Sequence, residues 1–288
     1  MPTRKPTPKS LDIPGQIQNL KKLDLKFKNE QKAAKTLNEI SYYRLIKAYS
    51  LDFKVKNGSY DGKTKFEDIV ELYNFNTELR ELIVYQTERI EISLRTKIVN
   101  YFSVKYGSTG YKNSAHFRNK KYHDLFIEEV NREIVRNSRS PIVKNFLYNY
   151  RGGELPLYAI AEIISFGTLS KFFKNLHGTD KSAIADEYNV PYLYLESWIE
   201  SIAYVRNICA HYGRLYNVRL DKTPKIPKDA GLPNFRIFAV LYCMKNILQN
   251  DKEWRKFVRD LNKLIRRYPA ADIRKMGFPD KWKKVLKS

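Results

Sequence analysis

In the stretch RNICAHYGRLYN, residues 206–217, Arg206 and Asn207 precede His211 by five and four positions, and Arg214 follows it by three. The chain has only four histidines, so this one keeps notable company. An imidazole titrates near neutrality and can take or give a proton, and an arginine fork matches phosphate oxygens. Together they suit cleavage of RNA without a metal. The ribose 2′-hydroxyl attacks its own phosphate, leaving a 2′,3′-cyclic phosphate and a 5′-hydroxyl. That route needs a proton acceptor, a proton donor and positive charge on the pentacoordinate phosphate. One His per chain fills one proton role. A homodimer that brings Arg206 and His211 from both copies together fills both by symmetry. Asn207, one turn before His211, is placed to orient the imidazole or bond a phosphate oxygen. By spacing alone, a structural histidine capping a helix end is the commoner outcome.

No other grouping competes. DNA lacks the 2′-hydroxyl, and its cleavage normally recruits metal through clustered carboxylates or histidines. His116 and His123-Asp124 have neither zinc-type spacing nor a nearby Cys, and His177 stands alone before Gly178, so all three read as ordinary surface histidines. RGGEL, 151–155, lacks the Lys-Ser/Thr of a phosphate-binding loop and reads as a helix-breaking loop. No metal and no cofactor is expected.

The element that must position the motif is a helix over about 192–214. Leu195, Trp198, Ile199, Ile202, Val205 and Cys209 form its apolar stripe, and Glu200, Tyr204, Asn207, His211 and Arg214 a polar line. Ala203, Ala210 and Gly213 are small enough for close approach. On an ideal helix Arg206 points about 140° away from His211, so the two converge only through reach, a kink or a second chain.

The surrounding pattern is helical throughout. Residues 1–16 form an irregular proline-rich arm, followed by two short helices carrying Ile17, Leu20 and Leu23, then Ala33, Leu37, Ile40 and Tyr43. Asn-Gly and Asp-Gly in KNGSYDGK, 56–63, turn the chain. Thr64 and Glu67 have capping-box spacing, and the pattern from there to about Tyr106 predicts one long helix, or two in line, ended by Gly107. On it Glu91 and Arg95 pair along the surface. Further helices are predicted over 122–137, 141–150, 156–176, 180–188, 234–250 and 251–267, with a loop over 221–233. Strand alternation is almost absent. The expected fold is all-α, with 1–62 as an N-terminal arm and short helices, 63–220 as the helical core and 221–288 as a basic helical extension, packed as one compact unit.

Charge points to the ligand. Of 288 residues, 53 are Lys or Arg against 31 Asp or Glu, a net +22. Residues 252–288 alone hold thirteen Lys and Arg against four Asp and Glu. Such a field attracts phosphate backbones, and the many tyrosines and phenylalanines among the cations favour nucleic acid over an anionic membrane. Arg214, Arg259, Lys263 and Arg266 are the expected RNA-binding residues. Without a signal peptide or an apolar run of membrane length, and with two cysteines in apolar surroundings, the expected location is the cytoplasm.

RNICAHYGRLYN resembles the Arg-x4-6-His motif of HEPN proteins, in the form found in abortive-infection proteins of the AbiD/AbiF type. EISYYRLIKAYSLDF (39–53), YNFNTELRELIVYQTERIEISLRTKI (73–98) and LPLYAIAEIISFGTLSKFF (155–173) are similar to that family, in its order, so the resemblance covers about residues 15–217. Asn76 stands where the family has an acidic residue, away from the motif. The resemblance implies a HEPN-like helical bundle with added N- and C-terminal helices. It also implies phage defence by growth arrest through a metal-independent endoribonuclease, with Arg206 and His211 catalytic in a homodimeric composite site. The same domain type occurs in RNA-targeting CRISPR effectors. Three classes stay open: the nuclease toxin, a non-catalytic RNA-binding protein that forms a ribonucleoprotein with a regulatory noncoding RNA, and a protein scaffold, which leaves the +22 unexplained. The first two are compatible, since a bound RNA could restrain the toxin. Glu162 reads as partner of a buried Arg, and SYYRL, 41–45, as an aromatic packing corner.

Overall fold

The computed structural model describes residues 9–53, 58–249 and 251–287. Among them are twelve α-helices, short 3-10 turns and one π-turn, with no strand beyond two isolated bridges. The fold is all-α. The chain divides into two compact units, residues 1–79 with 263–272 and residues 80–262 with 273–288.

In the first unit, α1 (Ile13–Lys22) packs on α2 (Glu30–Glu39), burying Ile17, Leu20, Ala33 and Leu37. Asp12 and Asn29 cap their N-termini by accepting from Gly15 and Lys32 amides. The π-turn Tyr43–Lys47 follows; in SYYRL Tyr42 is half-buried and Leu45 buried, as a packing corner requires, while Tyr43 is exposed. Asp61 accepts from the amides of Lys63 and Thr64, while residues 56 and 57 of the predicted turn lie outside the described residues. The capping box does not form either. The Lys65 amide donates to Asp68, and Glu67 accepts from the Lys28 and Asn29 amides.

The helix α3 (Phe66–Tyr106) is a single unbroken rod of 41 residues, about 60 Å long at 1.5 Å per residue. Its start belongs to the first unit, where Phe66 stacks on Phe27 and Phe75 meets Tyr268 edge-on. From Arg80 onward it belongs to the second unit, burying Ile83, Ile90, Leu94, Ile98 and Phe102. Gly107, at φ 84°, ends it in a conformation that costs glycine little.

Around that rod the second unit places α4 (Lys120–Arg136), α5 (Pro141–Asn149), α6 (Leu157–Ile163), α7 (Phe166–Asn175), α8 (Gly178–Asp186), α9 (Tyr192–Ala210) and α10 (Ile237–Leu248). The predicted helix over 156–176 breaks in two. Ser165 is extended, and its hydroxyl accepts from the Thr168 amide to cap α7, a competing local bond of the kind serine offers backbone. The stripe of α9 is buried as the sequence implied, from Leu195 to Cys209. Each such aliphatic contributes roughly 1.5–3 kcal/mol. The Trp198 indole donates to the Lys225 carbonyl at 2.7 Å, pinning the 221–233 loop to α9. α11 (Lys252–Arg267) runs from the second unit into the first, burying Trp254, Phe257, Val258, Leu261 and Leu264 and exposing its basic face, and α12 (Trp282–Lys287) follows.

A buried polar network braces α3 against α8. Asp180, wholly buried, accepts from Tyr101 at 3.0 Å, Tyr106 at 2.9 Å and Lys105 at 2.5 Å. Burial pushes its carboxyl up, but the three hydrogen bonds outweigh this and hold it below the usual range. Beside it, the buried Lys181 ammonium pairs with Glu196 at 2.7 Å.

Candidate functional site

Helix α9 stops one residue short of the motif's histidine. His211 is its C-cap, at φ −96° and ψ 21°, and the next residue, Tyr212, turns left-handed at φ 57°. The Tyr212 amide donates to the Cys209 carbonyl at 3.1 Å and the Gly213 amide to the Ile208 carbonyl at 2.7 Å, closing a Schellman turn. A Cβ on Gly213 would lie 2.7 Å from the Ile208 side chain, so only glycine fits there. The left-handed slot, usually filled by glycine, holds a tyrosine that is 67% exposed, a conformation that costs about 1 kcal/mol or more.

This turn corrects the helical projection. His211 is not a helical residue whose direction follows 100° steps, and Arg214 lies beyond the turn, half-buried, off the polar line. The first members of that line are structural. Glu200 pairs with Lys174 at 3.0 Å and Lys222 at 3.1 Å, and the Tyr204 hydroxyl donates to Asp221. Asn207 and His211 are exposed.

Arg206 is gripped from below by α3. Its Nε lies 3.6 Å from Glu91, an ion pair too long for a hydrogen bond, and its Nη1 donates to Asn207 at 3.4 Å. The guanidinium remains 41% exposed. Glu91 also accepts from Arg95 at 2.6 Å, and Arg95 donates to the Ile164 carbonyl at 3.1 Å. Glu91 and Arg95 are each only 14% exposed, so the pair is not the surface pair expected. The break between α6 and α7 leaves the Ile164 carbonyl without a helical donor, and Arg95 supplies one. That bond fixes Arg95, which aligns Glu91, which orients Arg206. Glu162 is exposed, and the buried arginine near it in sequence serves Glu91 and Ile164 instead.

A second α3 residue reaches the other end of the motif. Arg80, 5% exposed, donates to the Gly213 carbonyl at 3.3 Å. Its charge also opposes the burial that pushes the nearby Cys209 thiol up to about 12. Glu91, Arg95 and Arg80 were not singled out as site residues from sequence. Only their burial on α3, opposite the break at 164 and the turn at 213, marks them.

The structure thus joins Arg206 and Asn207, and presents His211 to solvent at the end of the same helix. No hydrogen bond joins His211 to Arg206 among the described residues. Arg259, Lys263 and Arg266 are exposed on α11, Arg259 in the second unit and the other two in the first. The remaining histidines are structural. His123 is buried, contrary to expectation, with Nε2 2.9 Å from the Tyr111 carbonyl; His116 stacks on Tyr106; His177 precedes α8. Among the described residues no three His, Cys, Asp or Glu side chains gather where they could hold a metal ion.

The Abi-like protein family matches residues 35–217, which span the second half of α2, all of α3 and the whole 206–217 turn. The chain belongs to that family. Membership places it among abortive-infection proteins, a class of phage defence. No curated protein and no solved structure matches the chain. No helix among the described residues is long and apolar enough to cross a membrane.

Proposed function

We propose that this abortive-infection protein is a metal-independent HEPN-type endoribonuclease that works as a homodimer. The observation that carries the reading is the end of α9. There a guanidinium held by Glu91 and an exposed imidazole stand within one helical turn and its cap, beside a tyrosine kept in a strained conformation. Strained backbone is tolerated where the surrounding structure over-determines it, and it clusters at functional sites.

In this reading Arg206 binds the scissile phosphate and offsets the charge that grows on its oxygens. Glu91 keeps the guanidinium off the α9 surface and aimed outward, and Asn207 adds an amide to the same edge. His211 takes the 2′-hydroxyl proton, and His211 of a second copy protonates the leaving 5′-oxygen. The Arg206–His211 separation along one helix end fits this division of labour, because the groups need not meet within one chain if a two-fold axis interleaves them. A regulatory noncoding RNA that covers the basic surface would restrain the toxin.

The test is cleavage of end-labelled RNA in EDTA by wild type, Arg206→Ala and His211→Ala. The expected result is cutting by wild type only, with 2′,3′-cyclic phosphate and 5′-hydroxyl ends. Cutting that EDTA abolishes, or that both variants retain, overturns the assignment. RNA bound tightly and never cut supports the non-catalytic ribonucleoprotein instead.

A further inference from the structure

At the corner between α5 and α6 the second unit carries aromatic surface that no packing explains. Tyr148 is 80% exposed, Tyr150 and Tyr158 are more than half exposed, and Leu147 lies beside them. Tyr150 and Tyr158 are not loose: their rings lie 4.8 and 6.0 Å from that of the buried Phe146, which anchors both. The backbone is set as well. Gly152 and Gly153 take φ of 81° and 62°, the Gly153 amide donates to the Tyr150 carbonyl at 3.1 Å, and the turn folds back against Leu147.

The charge along the stretch that carries Tyr148 and Tyr150 has one sign; the exposed Glu162 lies further on, along α6. Between Glu133 and Glu154 there is no acidic residue, but there are four cations, Arg136, Arg139, Lys144 and Arg151. Arg136 is spent on Glu133, and Glu154 on Lys112, so neither carboxylate faces the others unpaired. Arg139, Lys144 and Arg151 are exposed, with no acidic partner among the described residues. Lys144, Leu147 and Tyr148 fall on one face of α5 by their spacing of three and four, and Arg151 lies past the helix end in the 3-10 turn Arg151–Gly153 that follows the extended Tyr150.

Exposed planar rings, with unpaired cations close to them along the chain, fit a polymer that offers flat bases and a phosphate at each step. A folded protein would use the apolar area but not the unpaired cations, and a lipid surface would favour aliphatic side chains in the apolar area, where this corner offers mainly tyrosines. A nucleic-acid duplex hides its bases from the rings. Single-stranded binding of this kind draws on base–aromatic stacking and a basic track, with little sequence preference.

We propose that the α5–α6 corner is a binding surface for single-stranded RNA, on which Tyr148 and Tyr150 stack bases while Lys144 and Arg151 hold the backbone. It deepens the nuclease reading by supplying the strand that the Arg206–His211 end cuts, yet it stands or falls separately. The experiment uses the full chain carrying His211→Ala, which leaves RNA intact. Its affinity for a short, unstructured, labelled RNA and for the matching duplex is measured across a salt series. Single-strand binding is expected to exceed duplex binding. Tyr148→Ala and Tyr150→Ala each weaken it roughly five- to hundredfold, and Tyr148→Phe restores it, because stacking needs the ring and not the hydroxyl. Lys144→Gln with Arg151→Gln lowers the salt slope by about 1.4, two phosphates at about 0.7 each.

Wild-type affinity in Tyr148→Ala and Tyr150→Ala, or equal binding of duplex, overturns the proposal. So does release of the RNA by phosphatidylserine vesicles that bind through the same tyrosines, which would make the corner a membrane contact. Binding through Tyr148 by a wild-type protein that never cuts RNA removes the nuclease and keeps this surface; cutting that ignores Tyr148 does the reverse.

Discussion

Two polar groups rest on α3, and they are built to opposite specifications. Around Asp180 a carboxylate, an ammonium and two phenols are joined by hydrogen bonds, with the charge at the centre sealed from water. Around Arg206 the inner guanidinium of Arg95 is bonded directly to Glu91, but the outer one lies 3.6 Å from that carboxylate, beyond hydrogen-bond reach, and the neighbouring imidazole is exposed at a helix cap. In the first arrangement the ammonium is as exposed as Arg206, at 42%, but it is hydrogen-bonded to its buried carboxylate, so its charge is answered within the protein. The second satisfies the inner members and leaves the outer ones presented. Buried polar networks fix structure, whereas partly exposed cations on a fixed base fix the position of something else.

The contrast can be broken from either side. The largest effect is expected at the exposed group: Arg206→Ala or His211→Ala lowers RNA cleavage by roughly 10²–10⁴, the range for losing a proton-transfer or charge-stabilising group. Thermal unfolding of both variants stays close to wild type, since neither side chain is buried. Asp180→Asn should do the converse. It costs about 2–3 kcal/mol in denaturant unfolding, because it weakens three bonds to a buried acceptor, while the folded fraction keeps its specific activity. The pH dependence sharpens this. A carboxyl held below its usual range stabilises fully above its unfolded value, and that stability is lost as pH falls through the folded one. The gap between wild type and Asp180→Asn therefore closes in acid, below the ordinary carboxylate range, and is flat from there to neutrality.

Glu91 lies between the two behaviours. Glu91→Gln keeps the shape but weakens the grip on Arg206, and is expected to reduce cleavage about tenfold, largely as a raised KM for RNA. An unchanged KM with unchanged turnover would separate Glu91 from the site. The smallest effect belongs to Tyr212→Gly. Relief of the left-handed strain should raise stability by about 0.5–1 kcal/mol in urea unfolding, while activity falls if the ring contacts substrate. A loss of stability would show that the tyrosine is held there by packing.

Much of this was readable from the sequence, and the unread parts share a cause. The long helix, its end at Gly107, the apolar stripe of α9 and the basic face of α11 all follow from periodicity over many residues, where errors average out. The misread features each turn on one local bond. Ser165 capping α7 split a pattern that otherwise continues, and the Schellman turn at Tyr212 removed His211 and Arg214 from a helix that their spacing seemed to extend. Glu91 and Arg95 looked like a surface pair because four-residue spacing shows that two side chains meet but not what covers them. Arg206, Asn207 and His211 were singled out by residue type and spacing together with the family resemblance, since spacing alone favours a structural histidine. Glu91 and Arg80 are invisible to that approach, because they are remote in sequence from the motif they hold.

Arg80 and Glu91 stand eleven positions apart on α3, three helical turns to within about 20°. They therefore rise from one side of the rod and reach the two extremities of the 206–213 segment. The helix acts as a gauge block: its pitch sets the spacing of the two clamps. One residue inserted anywhere between them would swing Glu91 through about 100° while Arg80 stayed in place, so the interval should resist changes in length even where it accepts changes in side chain.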